Sequence, residues 1–509
     1  MTPHRTQRPQ RARPPHGYDD TRDAERDMAR IADAVTRALR RFWHGREAVL
    51  LLDDFDHRAR ALTDELRACG ARAAAAVART GPAPGVPSVG RSLHCDDLGA
   101  ILTRPGFESW LRDPPEAVRG WLDELDPARR WVALGTPRTG IAEFCGRPVH
   151  GRRRPQWAAV EDKTTIDRLW AAAGVPAPPH TVIPAGELAG RWGELSSLGG
   201  PRGVVVAADS TRGHVGDSLG LRWVPGPGPG PSSCSGPGPG SSPAGPAVLE
   251  LCARAERVRI ARFTDGVPCS VLGMALPDGV AVFSPVEIVT LGDPATGDLL
   301  FCGSSTHWRP GARAEADIRA AARRAAGELV RATGYQGIFS VDGLLGAEGF
   351  TATELNPRHA SGLGLRAALP GFPVYLFNRA VQESLPGLEA VTSARLERAV
   401  RTLVAAAPSY ALSVPVTRPG TPDGPARLTA GRAAIGYRVH GGTASLETVS
   451  PAPGDGRAGP ACAALAARLG RPGLRSFPLD ARPGGTGHRP PSENRGDRTP
   501  TPSDKETRP

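Results

Sequence analysis

The 509-residue chain is expected to fold as a mixed α/β protein, of α/β and α+β character, and three features lead there. Near the N-terminus an apolar run at 48–52, a helix-period segment at 57–69 and a second apolar run at 73–78 follow one another. That strand, helix, strand order marks a small parallel unit. Strand-like segments at 258–263, 270–275 and 280–289 then succeed each other without a helix between them, as in an antiparallel sheet. Finally, the 62 Gly and 52 Pro gather in patches, so folded segments and linkers separate by eye, while an apolar fraction of 40% is enough for a real core.

Residues 1–22, rich in Arg, Pro and His, read as a disordered tail. Met28, Ile31, Val35 and Leu39 recur at helical spacing, and with the α/β unit and a closing strand at 131–134 they define an N-terminal domain over 23–150. A second domain is expected over 151–389. It opens with a helix at 163–173, capped by Asp162, burying Ile166, Leu169, Trp170 and Ala173, and stopped at Gly174. A strand at 203–208 runs into the polar, glycine-containing stretch 209–216. The segment 225–246, almost wholly Gly, Pro and Ser, has no side chains to bury and reads as a flexible insertion. A helix at 314–333 ends at Gly334. Residues 390–481 form a small C-terminal α/β region, with a helix at 393–405, strands to about 449 and a short helix near 462–469; 482–509 is a second disordered tail.

The net charge of +11 comes from scattered arginines without the aromatic pattern of an RNA-binding sheet, which argues against nucleic acid as a partner. None of the eight cysteines has metal-ligand spacing, so reduced thiols are expected. No segment is apolar over a bilayer's length and 1–22 lacks a signal-peptide core, so no membrane partner is expected and the cytoplasm is the expected location. Lysine occurs only at Lys163 and Lys505. A lysine kept inside the folded region of so arginine-rich a chain suggests a need for a compact point charge.

The chemistry gathers in one hairpin. Residues 337–346 alternate as a strand, Ala347-Glu348-Gly349 turns, and 350–356 returns. A three-residue loop ending in glycine would pair 346 with 350, and the register carried inward sets Asp342 opposite Glu354. Side chains alternate between faces, so Asp342, Glu354 and Asn356 share one. Facing carboxylates repel, and a hard divalent cation relieves that repulsion. Pro357-Arg358 and a glycine-rich 360–364 come directly after.

Asp342 followed by Glu354-Leu355-Asn356-Pro357-Arg358 resembles the metal-binding signature of the ATP-grasp superfamily. The resemblance implies an ATP-grasp fold behind a pre-ATP-grasp α/β domain, with ATP and Mg2+ (or Mn2+) as cofactors. It assigns the metal to Asp342, Glu354 and Asn356, and gives Arg358 a catalytic place at the phosphate or acyl phosphate. Glu161-Asp162-Lys163-Thr164, with its helix and Ala173-Gly174-Val175-Pro176, resembles the entry to that fold, where the lysine reaches the nucleotide phosphates. The stretch 258–271 resembles the hinge strand whose backbone holds adenine, placing Ile260 and Phe263 at the nucleotide; Arg212 and Gly213 fall in the glycine-containing lid.

The function implied by the resemblance is that of an ATP-dependent ligase joining a carboxylate to an amine, or to a thiol, through an acyl phosphate. A small amino acid or peptide-like molecule is the expected substrate, and a homodimer is among the assemblies the resemblance allows. One departure keeps an alternative open. The family commonly has a second phosphate-contacting lysine at the end of the strand entering the lid, where this chain has Ala207. A degenerate member, binding nucleotide as a regulatory or partner module without turnover, fits that reading too. Glu287, His307, Trp308, Arg309 and His359 are polar or aromatic positions near the expected centre without an assigned role.

Overall fold

The computed structural model describes residues 17–55, 57–82, 89–209, 220–226, 245–359, 365, 371–450 and 453–479. Most of the two expected tails and residues 227–244 of the expected insertion lie outside them. Helix α1 (Gly17–Trp43) begins earlier than the expected 23, shortening the N-terminal tail; acidic Asp20 suits a helix start. Its stripe of Met28, Ile31, Val35 and Leu39 is buried as the periodicity requires.

Next come β1 (Glu47–Leu52), α2 (His57–Ala68), β2 (Arg72–Ala78), β3 (Arg91–His94), α3 (Arg104–Arg112), α4 (Glu116–Leu125) and β4 (Val132–Leu134). The strands form one parallel sheet in the order β3-β2-β1-β4. A short ribbon, β5 (Glu143–Phe144) and β6 (Arg147–Pro148), closes this unit. It delivers a fully buried arginine to the C-terminal end of α4: Arg147 donates to the carbonyls of Leu122 (2.9 Å) and Asp126 (2.8 Å) and to the Asp126 carboxylate (3.0 Å). Carbonyls left over at a helix end need such donors, and a cation there also suits the helix dipole.

After α5 (Pro155–Ala159) and α6 (Asp167–Ala172) comes a separate four-stranded antiparallel sheet, the lid sheet. It contains β7 (His180–Pro184), β8 (Val204–Ala208), β9 (Leu221–Val224) and β10 (Arg257–Arg262) in the order β7-β10-β8-β9, backed by α7 (Leu188–Ser197) and α8 (Pro246–Ala253). One face of this sheet, with Ile183, Val204, Val206, Val258 and Ile260, packs against Leu188, Trp192, Leu195, Val248 and Leu251.

The large sheet holds β11 (Val267–Leu276), β12 (Gly279–Val282), β13 (Val286–Gly292), β14 (Leu299–Ser305), β15 (Gly337–Gly346) and β16 (Gly349–Asn356), ordered β16-β15-β11-β13-β14, with β12 paired to β11. The single strand expected at 280–289 is two strands. Pro285, which lacks a ladder donor, separates them, and both pair with β11. Helix α9 (Ala312–Thr333) covers one face with Ile318, Ala322 and Leu329 and stops at Gly334, whose φ of +62° glycine adopts freely. The expected C-terminal region does not make a sheet of its own. Strands β17 (Tyr410–Pro415), β18 (Gly424–Ala430), β19 (Ala433–His440) and β20 (Thr443–Ser450) extend the large sheet from β14 in the order β17-β20-β19-β18.

The N-terminal unit is fastened to the hairpin by polar contacts inside the core. The Glu65 carboxylate accepts from the N–H groups of Tyr375 (3.3 Å) and Leu376 (2.9 Å) at the start of the helix Val374–Gln382. From that helix, Asn378 Oδ1 accepts the Ile338 N–H at 2.7 Å, fixing the start of β15 against it.

Candidate functional site

The β15–β16 hairpin holds the register that its sequence predicts where it matters: Ser340 faces Asn356, Val341 faces Leu355 and Asp342 faces Glu354. The turn itself differs from the expectation. Gly346 pairs with Gly349 across the two-residue loop Ala347-Glu348, and the extra residue is taken up by a bulge at Thr353. The Thr353 hydroxyl donates to the Asp342 carbonyl at 3.2 Å, which stabilises the bulge where two-residue turn and inner register must be reconciled.

Across the next strand, Ser270 of β11 pairs with Asp342, and its hydroxyl donates to Asp342 Oδ1 at 2.5 Å. Asn356 Nδ2 donates to the other oxygen, Oδ2, at 3.1 Å. Lys163 Nζ lies 3.0 Å from Glu354 Oε2. Arg358 donates from Nε to both oxygens of Glu161 (3.1 and 3.2 Å) and from Nη2 to Asn356 Oδ1 at 2.8 Å; Arg153 adds a second cation to Glu161 at 2.6 Å. Lys163, Glu354, Asp342, Asn356, Arg358 and Glu161 thus form one connected polar patch. Asp162, the expected cap, accepts from the N–H (2.8 Å) and hydroxyl (2.7 Å) of Thr164, and turns lead into α6 at Asp167.

Burial and the facing Glu354 push the Asp342 carboxyl up to about 7, against the pull of Ser270, Arg358 and Lys163. The donor set of two carboxylates and one amide on a single face suits a hard cation that keeps water and phosphate oxygens for its remaining positions. Among the described residues no group of three His, Cys, Asp or Glu side chains is placed to hold a metal ion, so a cation here would rest on two carboxylates and the Asn356 amide. The raised carboxyl also makes stability depend on pH. Between the ordinary carboxylate range and about 7 the folded chain binds a proton at Asp342 that the unfolded chain has released, so this site's contribution falls as pH rises through that window. The metal-free Asp342→Asn variant is expected to lose that part of the decline in melting temperature between about pH 4 and 7. A variant profile parallel to the wild type's would contradict the assignment.

Ile260 points into the lid's own core, and its backbone lies in the central strand of the lid sheet. Phe263 donates its N–H to the Gly203 carbonyl at 3.0 Å, and its ring stacks on Trp223 with centroids 4.5 Å apart. Both side chains are occupied in packing. Arg212, Gly213 and the glycine-rich 360–364 lie outside the described residues. Of the unassigned positions, Glu287 is buried and accepts from the N–H groups of Ala458 (2.6 Å) and Gly459 (3.1 Å) at the helix Gly459–Arg468. His307 stacks on Tyr410, and His359 lies against Tyr375. Trp308 and Arg309, with Glu315, Glu397 and Arg401, line a cavity of about 640 Å³. Val286 in its wall pairs with Ser270, which pairs with Asp342, so one residue of the cavity wall stands two strands, about 10 Å along the sheet, from Asp342.

Three contributors were not found from sequence. Ser270 carried a signal, being a polar residue facing inward from an apolar strand. Glu161 stood in the motif at the entry to the fold but without a role, because its partner Arg358 is 197 positions away, and Arg153, whose partner is Glu161, carried no signal.

No protein-family model matches the sequence, and no curated protein matches it. Among solved structures, Rhizobium etli pyruvate carboxylase T882A with the allosteric activator acetyl coenzyme A matches at a TM-score of 0.51 and 14% identity, over 80% of this chain and 35% of that one. The chain has the ATP-grasp fold. L-amino acid ligase from Bacillus licheniformis (TM-score 0.48, 12% identity, 85% of this chain and 98% of that one) and N5-carboxyaminoimidazole ribonucleotide synthetase from Thermotoga maritima (0.45, 14%, 85% and 99%) are further matches. In this ATP-grasp chain the lid sheet meets α6 through the ion pair of Arg259 with Asp167, and the turns before α6 meet the β15–β16 hairpin through Lys163 and Glu354. Ala207 of β8 stands where the sequence resemblance leads one to expect a lysine.

Proposed function

We propose that the chain is an ATP- and magnesium-dependent ligase that activates a small carboxylate and joins it to an amine. The observation that carries the reading is the single face holding Asp342, Glu354 and Asn356, with Lys163 on Glu354 and Arg358 on Asn356. Magnesium, when bound there, would neutralise charge on the phosphates of ATP. Asp342, Glu354 and Asn356 would hold it, and Lys163, exchanging its contact with Glu354 for phosphate, would place a point charge on the nucleotide. Arg358, oriented by Glu161, would receive the acyl phosphate, where a fixed cation stabilises developing charge without reorganising.

The cavity beside Val286 is large enough for an amino acid or short peptide, and its mixture of arginine and glutamate suits a molecule bearing both charges. Amine attack needs little beyond orientation once the carboxylate is activated, so the hairpin needs no dedicated general base. Ala207 favours a second reading, a nucleotide-binding module without turnover. ADP release separates the two. Purified protein with MgATP and a panel of amino acids and dipeptides is expected to release ADP above the substrate-free rate for at least one pair. MgATP binding without ADP release from any pair would favour the module.

A further inference from the structure

The lid sheet has a second face, turned toward α6. Val205 and Ala207 of β8 and Arg259 and Ala261 of β10 occupy it, because the residues between them fill the lid's own core. Arg259 pairs directly with Ala207 across the ladder, so both side chains leave the sheet at the same place and in the same direction. Ala207 itself offers no charge on this face. The Arg259 guanidinium crosses from the lid to the body and meets Asp167 bidentately, at 2.6 Å from Nε and 2.8 Å from Nη2. His180 of β7 lies on the same carboxylate at 3.2 Å. Arg259 is 7% exposed.

Asp167 stands one turn after Lys163, whose ammonium contacts Glu354 on the metal hairpin. Arg259 therefore reaches from the lid sheet to the same turn of chain from which Lys163 reaches the hairpin. A triphosphate bridging lid and hairpin carries more negative charge than one magnesium ion neutralises, and it needs cations from both walls.

We propose that Arg259 is the lid's phosphate ligand in this chain: the cation missing at Ala207 is supplied from the neighbouring strand, and Asp167 holds it in place until nucleotide arrives. The inference rests on the nucleotide-binding reading of the site. Arginine suits the role, since its planar fork engages carboxylate and phosphate in the same bidentate way and can pass from one to the other. The arrangement removes the objection that Ala207 raises against turnover, since charge on this face of the lid is displaced by one strand and not lost.

The test moves the charge back. Removing Arg259 alone would strand a buried carboxylate, so the informative variant is Asp167→Asn with Arg259→Met, which takes out both charges. Titration calorimetry with ATP and magnesium at fixed ionic strength, on the full chain, is expected to give a Kd about ten- to hundredfold weaker than the wild type's. Adding Ala207→Lys to that double variant is expected to recover most of the loss, because lysine would enter the same face from the paired position. Melting temperatures identify any variant that binds weakly because it is unfolded, and the comparison then uses Arg259→Lys in the native background, expected to bind within about tenfold of wild type. Wild-type affinity in the double variant, or a loss that Ala207→Lys leaves unchanged, would overturn the proposal while leaving the nucleotide site intact. Failure of the wild type to bind ATP with magnesium would overturn both.

Discussion

Replacing Glu354 with glutamine is expected to weaken magnesium-dependent ATP binding by about a hundredfold or more while leaving the metal-free protein folded. Glutamine keeps the shape and the place in the β16 ladder, so the backbone register that pairs residue 354 with Asp342 should persist. The charge that draws a cation is lost. The metal then has one carboxylate and two neutral amides, and the like-charge repulsion that made a cation favourable is gone. Opposing effects leave the apo stability nearly level. Lys163, which is mostly buried, loses its partner, whereas Asp342 is relieved of the neighbour that helps raise its carboxyl. Calorimetric titration of MgATP together with a thermal melt checks both halves. Undiminished magnesium-dependent binding would show that the metal is held elsewhere.

Arg147→Met is expected to have the largest effect on stability, about 3–5 kcal/mol. The guanidinium is fully buried and makes five hydrogen bonds, to the carboxylates of Asp126 (3.0 Å) and Asp123 (3.1 Å) and the carbonyls of Leu122 (2.9 Å), Asp126 (2.8 Å) and Cys145 (2.6 Å). Methionine fills much of the volume but donates nothing. The variant would strand the Asp126 carboxylate, itself buried beneath the N–H groups of Arg130 and Trp131, and leave the end of α4 unsatisfied. Urea unfolding of the full chain should show an early transition from the N-terminal unit. A loss under about 1 kcal/mol would mean that water replaces the arginine at little cost.

Much of the site could be read before the fold was in view, because it is local. Asp342, Glu354 and Asn356 are brought together by a tight turn and a two-residue alternation, both properties of twenty consecutive positions. Even the wrong turn length did no harm there, since a two-residue loop plus a bulge at Thr353 gives the same inner register as a three-residue loop. The strand, helix, strand order of the N-terminal unit and the helix α9 followed from periodicity in the same way. What stayed hidden depends on pairing between distant segments. The Arg259–Ala207 juxtaposition needs the β8–β10 register, set across the segment that holds the glycine-proline stretch. Glu161 meets Arg358 only after the whole domain has closed. The strands after Tyr410 alternate as any exposed sheet would, and nothing in them says that β17 will add to β14 instead of starting a sheet of its own.

The central claim is that the hairpin face binds a divalent metal against ATP. A crystal structure of the full chain with manganese and a non-hydrolysable ATP analogue tests it most directly, because manganese scatters anomalously. An anomalous peak within bonding distance of Asp342, Glu354 and Asn356, with the triphosphate reaching Lys163, is the expected result. A peak elsewhere, or nucleotide bound away from the hairpin, would contradict the account.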